Sequence, residues 1–225
     1  MSEETGNGTL KNRIYIELHR SIIMGHRLPG EKIDVRQLAR DYGTSITPIR
    51  EALQMLNQEG LVTIRPHSGY LVTWLTLKQL RDLLELREIL ELASVERAAT
   101  RITEEQIAEL EAVYTGYTGD DDESYARYTA ENQRFHVLIA QAAGNQELTE
   151  MLGHLHDRLA RFMVLRHAGE TMQYTHAHIA EALRSRDVGA ARQAMLDELL
   201  DTREVVLERV IQQQGDSWHL DRQKT

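Results

Sequence analysis

The sequence predicts a mainly α-helical protein in which three helices and a β-hairpin precede a longer region that is helical throughout. Three observations favour this fold class. Aromatic residues make up only 5% of the 225 residues, and the chain contains three prolines. Apolar residues recur at helical spacing over most of the chain, whereas short β-prone runs occur as one adjacent pair. A hydrophobic content of 41% is enough to build cores from aliphatic helices.

The first part of the chain has the element order of a winged helix-turn-helix. Residues 1–8 are polar and are expected to form a disordered tail. Helices are predicted at about 9–24 and 34–42, and a third helix, TPIREALQMLNQEG, stops at Gly60. The runs LVTIR and YLVTW, joined by PHSG, predict a hairpin. The expected domain therefore spans residues 9–74.

The remainder of the chain shows only helical patterns. The first predicted helix is LKQLRDLLELREILELASVERAA, and the later ones cover about 103–117, 122–143, 146–167, 171–185 and 188–213. Thr103 and Gln106 have the spacing of a capping box at the start of the second of these helices. Antiparallel helices of this number and length predict a six- or seven-helix bundle with a central cavity, spanning residues 75–213. Residues 214–225 are expected to be a disordered tail.

The amino-acid composition limits which cellular compartment and which kinds of partner are expected. The absence of cysteine excludes disulfides and thiolate metal sites and fits a reducing compartment. Because no signal peptide or long apolar run is present, a cytoplasmic protein without a membrane segment is expected. The net charge of −9 belongs to the second part, since residues 1–75 contain nine basic and eight acidic residues, a net of +1. The acidity therefore does not argue against nucleic acid as a partner.

The stretch GTSITPIREAL, residues 43–53, begins the third helix with short hydroxyl residues and an arginine. Ser45 or Thr47 can cap an N–H group of the first turn, which is the structural explanation. Alternatively, this helix end meets a phosphate-bearing ligand, because helix N-termini bind anions. In a helix-turn-helix the second helix lies in the major groove, where Arg50 can reach a phosphate or a guanine edge.

The stretch PGEKIDVRQLARDYGTSITPIREALQMLNQEGLVTIRPHSGYLV resembles the winged-helix domain of the GntR family of bacterial transcription regulators. The resemblance implies a set of DNA contacts: Arg36, Ser45, Thr47, Arg50 and the wing from His67 to Gly69. The family usually has arginine where this chain has Ile46, and an apolar side chain there can touch a thymine methyl instead. An operator sequence borrowed from relatives is therefore not expected to apply.

The helical region resembles the FCD ligand-binding domain of the FadR-type branch of that family, on the segments LELREILE, FHVLIAQAAGNQEL and HAHIAEAL. Many such domains hold a divalent metal with one carboxylate and three histidines. The matching positions here are Asn132, His136, His176 and Glu198, which depart from that pattern at the first and last residue. The resemblance implies one Zn, Ni or Mn ion per chain, and a glutamate in place of histidine favours harder ions.

The spacing of these four residues is independent support for a shared site. Asn132 and His136 are four residues apart and share a helix face, while His176 and Glu198 each lie 11 residues from Asp187 in the turn between two helices. His136, His176 and Glu198 each stand within an apolar stripe, and buried charges require partners or a metal. The alternative is a set of hydrogen-bonded core side chains without a metal.

Arg87 is the remaining candidate. It follows Leu83 by four residues and precedes Leu90 by three, so it shares the face of the leucine stripe. The resemblance implies that an arginine here approaches the effector, and an internal arginine suits an organic acid. The alternative is a surface salt bridge with Glu91.

These observations predict a regulator that binds double-stranded DNA and is not an enzyme. The expected protein is a homodimeric repressor that binds a palindromic operator and is released by a small carboxylate effector in the helical domain. Two alternatives remain: a metal-dependent enzyme, or an interaction protein that has lost DNA binding, with Ile46 as the mark of that loss. Whether the effector releases DNA or promotes binding stays open at this stage.

Overall fold

The structure is a computed structural model, and it describes residues 3–113, 121–166 and 169–214. Its elements are, in chain order, α1 (Glu3–Ile23), β1 (Lys32–Ile33), α2 (Val35–Asp41), α3 (Ile46–Gln58), β2 (Val62–Arg65), β3 (Gly69–Val72), α4 (Leu77–Arg101), α5 (Glu104–Val113), α6 (Asp122–Ala142), α7 (Gln146–Arg166), α8 (Gly169–Arg184) and α9 (Val188–Gln214). Contacts divide the chain into two compact units. One comprises the residues up to 80 with 153–161, and the other comprises 81–152 with the residues from 162 onward. The predicted mainly α fold class is confirmed.

The first unit contains a small antiparallel sheet in the order β1-β3-β2. The predicted hairpin is present, with Arg65 paired to Gly69 at its closed end. The third strand, β1, pairs Ile33 with Tyr70 and was not predicted. A strand of two residues is too short to show an alternating pattern, so the sequence carries no period-two signal for it.

A single apolar core joins the helices of the first unit to its sheet. Its fully buried members include Ile14, Leu18 and Ile22 of α1 and Ile49, Leu53 and Leu56 of α3. They recur at spacings of three and four residues, which places them on one face of each helix. The opposite face of α3 is therefore left available at the surface.

The expected disordered tail at residues 1–8 is wrong from Glu3 onward, where α1 begins. Glycine lowers helix propensity by about 1 kcal/mol but does not block the chain as proline does. Gly6 and Gly8 can therefore occupy the first turns of α1, because later residues of the helix pack into the apolar core. Residues 1–2 lie outside the described residues. So do residues 215–225 of the predicted second tail, and α9 extends to Gln214.

In the described part of the second unit, helices α4, α5, α6, α8 and α9 share an apolar core. The capping box at α5 is confirmed, because the Thr103 amide donates to Gln106 Oε1 at 3.0 Å and the Gln106 amide donates to Thr103 Oγ1 at 3.2 Å. Thr76 and Gln79 form the same reciprocal pair at the start of α4. The predicted helix at 103–117 ends at Val113, and residues 114–120 lie outside the described residues.

We expect Thr103→Ala to lower the free energy of unfolding by about 1 kcal/mol, because it leaves a first-turn amide of α5 without its acceptor. Thr103→Ser retains the hydroxyl and should lose less than half of that. Urea denaturation followed by circular dichroism measures both variants. Equal losses in the two would show that the methyl group, and not the cap, is what matters at this position.

Candidate functional site

The N-terminus of α3 carries a hydroxyl that is not used for capping. Ser45 is the N-cap residue, with extended backbone angles, yet its side chain makes no capping hydrogen bond. Asp34, at the same position before α2, does cap, and its carboxylate accepts from the amides of Arg36 at 2.8 Å and Gln37 at 3.0 Å. Capping by Ser45, one of the two explanations drawn from the sequence, is therefore not what the structure contains. The first-turn N–H groups of α3 remain open to an external acceptor.

The predicted DNA-contacting side chains of α2 and α3 are exposed, with one exception. Arg36, Thr47 and Arg50 lie at the surface, and among the described residues their side chains make no hydrogen bond or ion pair. Ile46 is partly buried and packs against the apolar core of the first unit. This packing gives Ile46 a structural role, and its contact with a base stays a prediction.

The turn between β2 and β3 holds His67 in a strained conformation at its tip. His67 has a φ of 64° and Gly69 a φ of 82°, both in the left-handed region. Only glycine adopts this region freely, so His67 is held there at a cost in free energy. The Ser68 amide closes the turn by donating to the Pro66 carbonyl at 2.8 Å. Arg65 and His67 consequently project from the tip as exposed side chains.

The second unit encloses a cluster of charged side chains, which we call the buried polar cluster: Arg87, Glu91, Asn132, His136, His176 and Glu198. None of its members is more than 3% exposed. They come from four helices, α4, α6, α8 and α9. The structure therefore brings the predicted effector residue and all four predicted metal ligands into the interior of one unit.

Arg87 is bonded to acidic and imidazole groups at once. Its Nη2 lies 2.9 Å from His136 Nε2 and 3.6 Å from Glu198 Oε1, and its Nε donates to Glu91 Oε1 over 3.4 Å. The expected alternative, a surface salt bridge between Arg87 and Glu91, is wrong because both side chains are buried. The pair exists, but it belongs to the site.

His136 stands between two carboxylates. Its Nδ1 is 3.1 Å from Glu91 Oε1 and its Nε2 is 3.3 Å from Glu198 Oε2. Burial lowers the pKa of His136, but the charges of Glu91 and Glu198 outweigh burial and raise that pKa to about 8. Burial likewise raises the pKa of Glu198, and His136 and Arg87 outweigh it and hold that pKa well below the usual range. When Nε2 carries a proton it can donate to Glu198, and without one it can accept from Arg87.

The donor atoms fit a divalent metal. His136, His176 and Glu198 each offer one ligand atom, and these atoms lie within 4.8 Å of one another. Asn132, one helical turn before His136, has a buried Oδ1 with no hydrogen-bond partner among the described residues. Two imidazoles, a carboxylate and an amide oxygen are accepted by Zn²⁺, Ni²⁺ and Mn²⁺. His176 is held in place by Phe135, whose ring stacks on it at 3.9 Å.

Glu91 is the site residue that the sequence analysis did not select. A carboxylate on the second ring nitrogen of a histidine fixes its tautomer and orients the first nitrogen. Glu91 is placed to do this for His136 through Nδ1. The signal was present in the sequence, because Glu91 follows Arg87 by four residues on the same face of α4. Sequence alone does not show that this face is buried.

Two family profiles match the chain, that of the bacterial regulatory proteins of the gntR family over residues 10–72 and that of the FCD domain over residues 82–200. The chain belongs to the GntR family. This GntR-family chain is 31% identical over 193 residues to the uncharacterized HTH-type transcriptional regulator YdhC of Bacillus subtilis (strain 168), covering 82% of this chain and 85% of that protein. It is 29% identical over 215 residues to the HTH-type transcriptional repressor RspR of Escherichia coli (strain K12), covering 93% of both chains.

A solved structure of E. coli McbR/YncC has the same fold as this GntR-family chain. It covers 89% of this chain and 98% of its own, with a TM-score of 0.69 and 21% identity. The matched relatives are transcription regulators, so this GntR-family member is a regulator rather than an enzyme, as predicted. Among the described residues, no helix combines the length and the apolar character that crossing a bilayer requires.

The left-handed wing turn can be tested with a matched pair of glycines. Gly69 and Gly153 both have open space where a Cβ would stand, but Gly69 has a φ of 82° whereas Gly153 is helical. We expect Gly69→Ala to lower the free energy of unfolding by about 1–2 kcal/mol through backbone strain. Gly153→Ala should raise it by about 0.5–1 kcal/mol. Thermal denaturation of both variants measures the signs, and equal signs would contradict the assignment of strain to the wing.

Proposed function

We propose that this GntR-family regulator is a repressor that binds a palindromic operator as a homodimer and is released by a small organic acid bound in its helical unit. The observation that supports DNA binding is the N-terminus of α3. There the Ser45 hydroxyl makes no capping bond and lies beside the exposed Thr47 and Arg50. Helix ends of this kind favour phosphate through unpaired N–H groups and the helix dipole. The matched relative RspR is named a transcriptional repressor, which supports repression rather than activation in this proposal.

Each predicted DNA-contacting residue of the first unit has a role in this proposal. Ser45 and Thr47 donate to phosphate oxygens at the entrance of α3 to the major groove. Arg50, one turn further, reaches a phosphate or the O6 and N7 atoms of guanine. Arg36 on α2 contacts the backbone, and the wing from His67 to Gly69 contacts the backbone or the minor groove. Ile46 is expected to add an apolar contact where its edge remains exposed.

The buried polar cluster is proposed as the effector site. Asn132, His136, His176 and Glu198 would hold one Zn, Ni or Mn ion, with Glu91 orienting His136. The bound ion would supply a fixed positive charge that attracts an organic acid with more than one oxygen donor. Arg87 would bind the acid's carboxylate through its guanidinium, which suits carboxylate geometry.

Dimerisation is proposed through the helical unit. Leu86 and Ile89 are apolar side chains on the outward face of α4 and are 38% and 59% exposed. Burying such a face between two copies is favourable, and a two-fold dimer reads a two-fold operator. Effector binding would then change the arrangement of the two winged helices, which couples two distinct sites. The protein would act in the cytoplasm, where the DNA is.

We expect Arg50→Ala to weaken operator binding by about 1–3 kcal/mol without changing the fold, because it removes a charged contact to the groove. A duplex selected by the wild-type protein from a random-sequence library serves as the operator, and fluorescence anisotropy gives the affinity. Arg134→Ala, which removes an exposed arginine of α6, is the control for net charge. If Arg50 contacts a phosphate, the variant should also release about one counterion fewer on binding. The slope of log K against log salt concentration should then be smaller by about one.

Two results would reject this assignment. Binding by the Arg50→Ala protein that is as tight as wild type would show that α3 is not the recognition helix. Failure of the wild-type protein to select any sequence above its non-specific level would favour the remaining alternative, an interaction protein that has lost DNA binding.

The metal is tested by elemental analysis of protein purified without a chelator or a histidine tag. We expect about one Zn, Ni or Mn ion per chain and its loss in His176→Ala, because that variant lacks a buried ligand. His178→Ala is the matched control, since His178 lies two residues away on the same helix and is exposed. Wild-type protein without metal would leave Arg87 and hydrogen bonds as the means of binding the acid.

A further inference from the structure

The Arg87 guanidinium lies where a metal ion must make a bond. Its Nη2 is 2.9 Å from His136 Nε2. Guanidinium nitrogens donate but do not accept, so whenever Nε2 carries no proton this contact is a hydrogen bond to its lone pair. His136 Nδ1 faces Glu91 Oε1 at 3.1 Å, which leaves Nε2 as the nitrogen available to a metal. Arg87 and a metal therefore require the same lone pair.

Glu198 is shared in the same way. Arg87 Nη2 is 3.6 Å from Glu198 Oε1, and Glu198 is also one of the three residues whose ligand atoms converge. An ion held by His136 and Glu198 would lie next to the guanidinium at a site that is closed to water. Like charges that are not screened by solvent repel strongly. The two cations cannot both keep their bonds to this pair of residues.

We propose that Arg87 and the divalent metal compete for His136 and Glu198, and that metal binding turns the guanidinium away from them toward the carboxylate of the acid. This inference rests on the proposed metal and acid site. Arg87 does not leave the cluster, because its Nε remains tied to Glu91 Oε1. Its Nη1 lies 3.8 Å from Met163 Sδ, and a flexible thioether is a side chain that can give way as the guanidinium moves.

The charge balance of the cluster favours simultaneous binding of metal and acid. Glu91 and Glu198 carry two negative charges and Arg87 one positive charge, so once His136 has given up its proton to bind a metal, the side chains of the cluster have a net charge of −1. A divalent ion changes this to +1, and a monoanionic carboxylate then restores neutrality in the buried site. Metal and acid consequently raise each other's affinity by the same factor. The metal acts as a co-effector that frees the arginine for its ligand.

The test is the affinity of the full chain for Zn²⁺ and Mn²⁺ alone, measured by isothermal titration calorimetry without any acid. Arg87→Met removes the competing cation and should bind the metal at least about tenfold more tightly than wild type, a difference of about 1.4 kcal/mol. Arg203→Met is the control, because Arg203 pairs with Glu88 at the surface of the same unit and removes the same charge. It should bind the metal as wild type does.

The outcomes separate this inference from the proposed metal site. Equal or weaker metal binding by Arg87→Met, with a wild-type protein that binds metal, overturns the competition and leaves the metal site in place. Binding only by Arg87→Met supports the competition and shows that the arginine excludes the ion. Binding by neither protein overturns both.

A second measurement covers the case in which Arg87→Met does not fold. The side-chain Nε–H signal of Arg87 in wild-type protein, assigned by its absence in Arg87→Lys, is followed by NMR during titration with Zn²⁺. The competition requires this signal to shift as the ion binds. A metal-saturated protein with an unshifted Arg87 signal would overturn it.

Discussion

The helical unit is organised around charges that have no access to water. Arg87, Glu91 and Glu198 are at most 1% exposed, and the Arg87 guanidinium lies within 3.6 Å of both carboxylates. A buried charge without a partner is far more costly than an apolar cavity, so α4, α6 and α9 must keep the register that pairs these groups. The apolar residues of the bundle fill the space between these helices, whereas the polar cluster determines which side chains face one another.

The winged-helix unit has the opposite arrangement. Its buried core is aliphatic along one face of α1 and α3, and the predicted DNA-contacting side chains lie at helix ends and at a turn. A helix end offers directed N–H groups and a partial positive charge without burying any ion. Under the proposed function, the two units would therefore receive negatively charged partners in different ways. One presents backbone groups and exposed arginines to a large polyanion, and the other holds an arginine and histidines in a closed space suited to a small one.

Much of this could be predicted from the sequence, because helical periodicity and capping pairs are local signals. The α5 capping box and the shared face of Asn132 and His136 follow from spacing alone. The strand β1 could not be predicted, since two residues carry no period. Glu91 entered the sequence analysis only through the alternative of a surface salt bridge, because spacing identifies a face of α4 but not what covers it. The unused hydroxyl of Ser45 depends on a side-chain rotamer, which no sequence pattern encodes.

The unused N-cap of α3 sets the stability of the free protein against its proposed binding of DNA. An aspartate at position 45 could satisfy the first-turn amides, as Asp34 does for α2, and would make the free chain more stable. It would also place a negative charge where, under the proposed function, a phosphate would bind. The Ser45 side chain makes no capping hydrogen bond in the free chain, and under the proposed function its hydroxyl would donate to the bound phosphate. Selection of variants for thermal stability alone would therefore tend to favour a capping residue at position 45 and weaken the proposed binding of DNA.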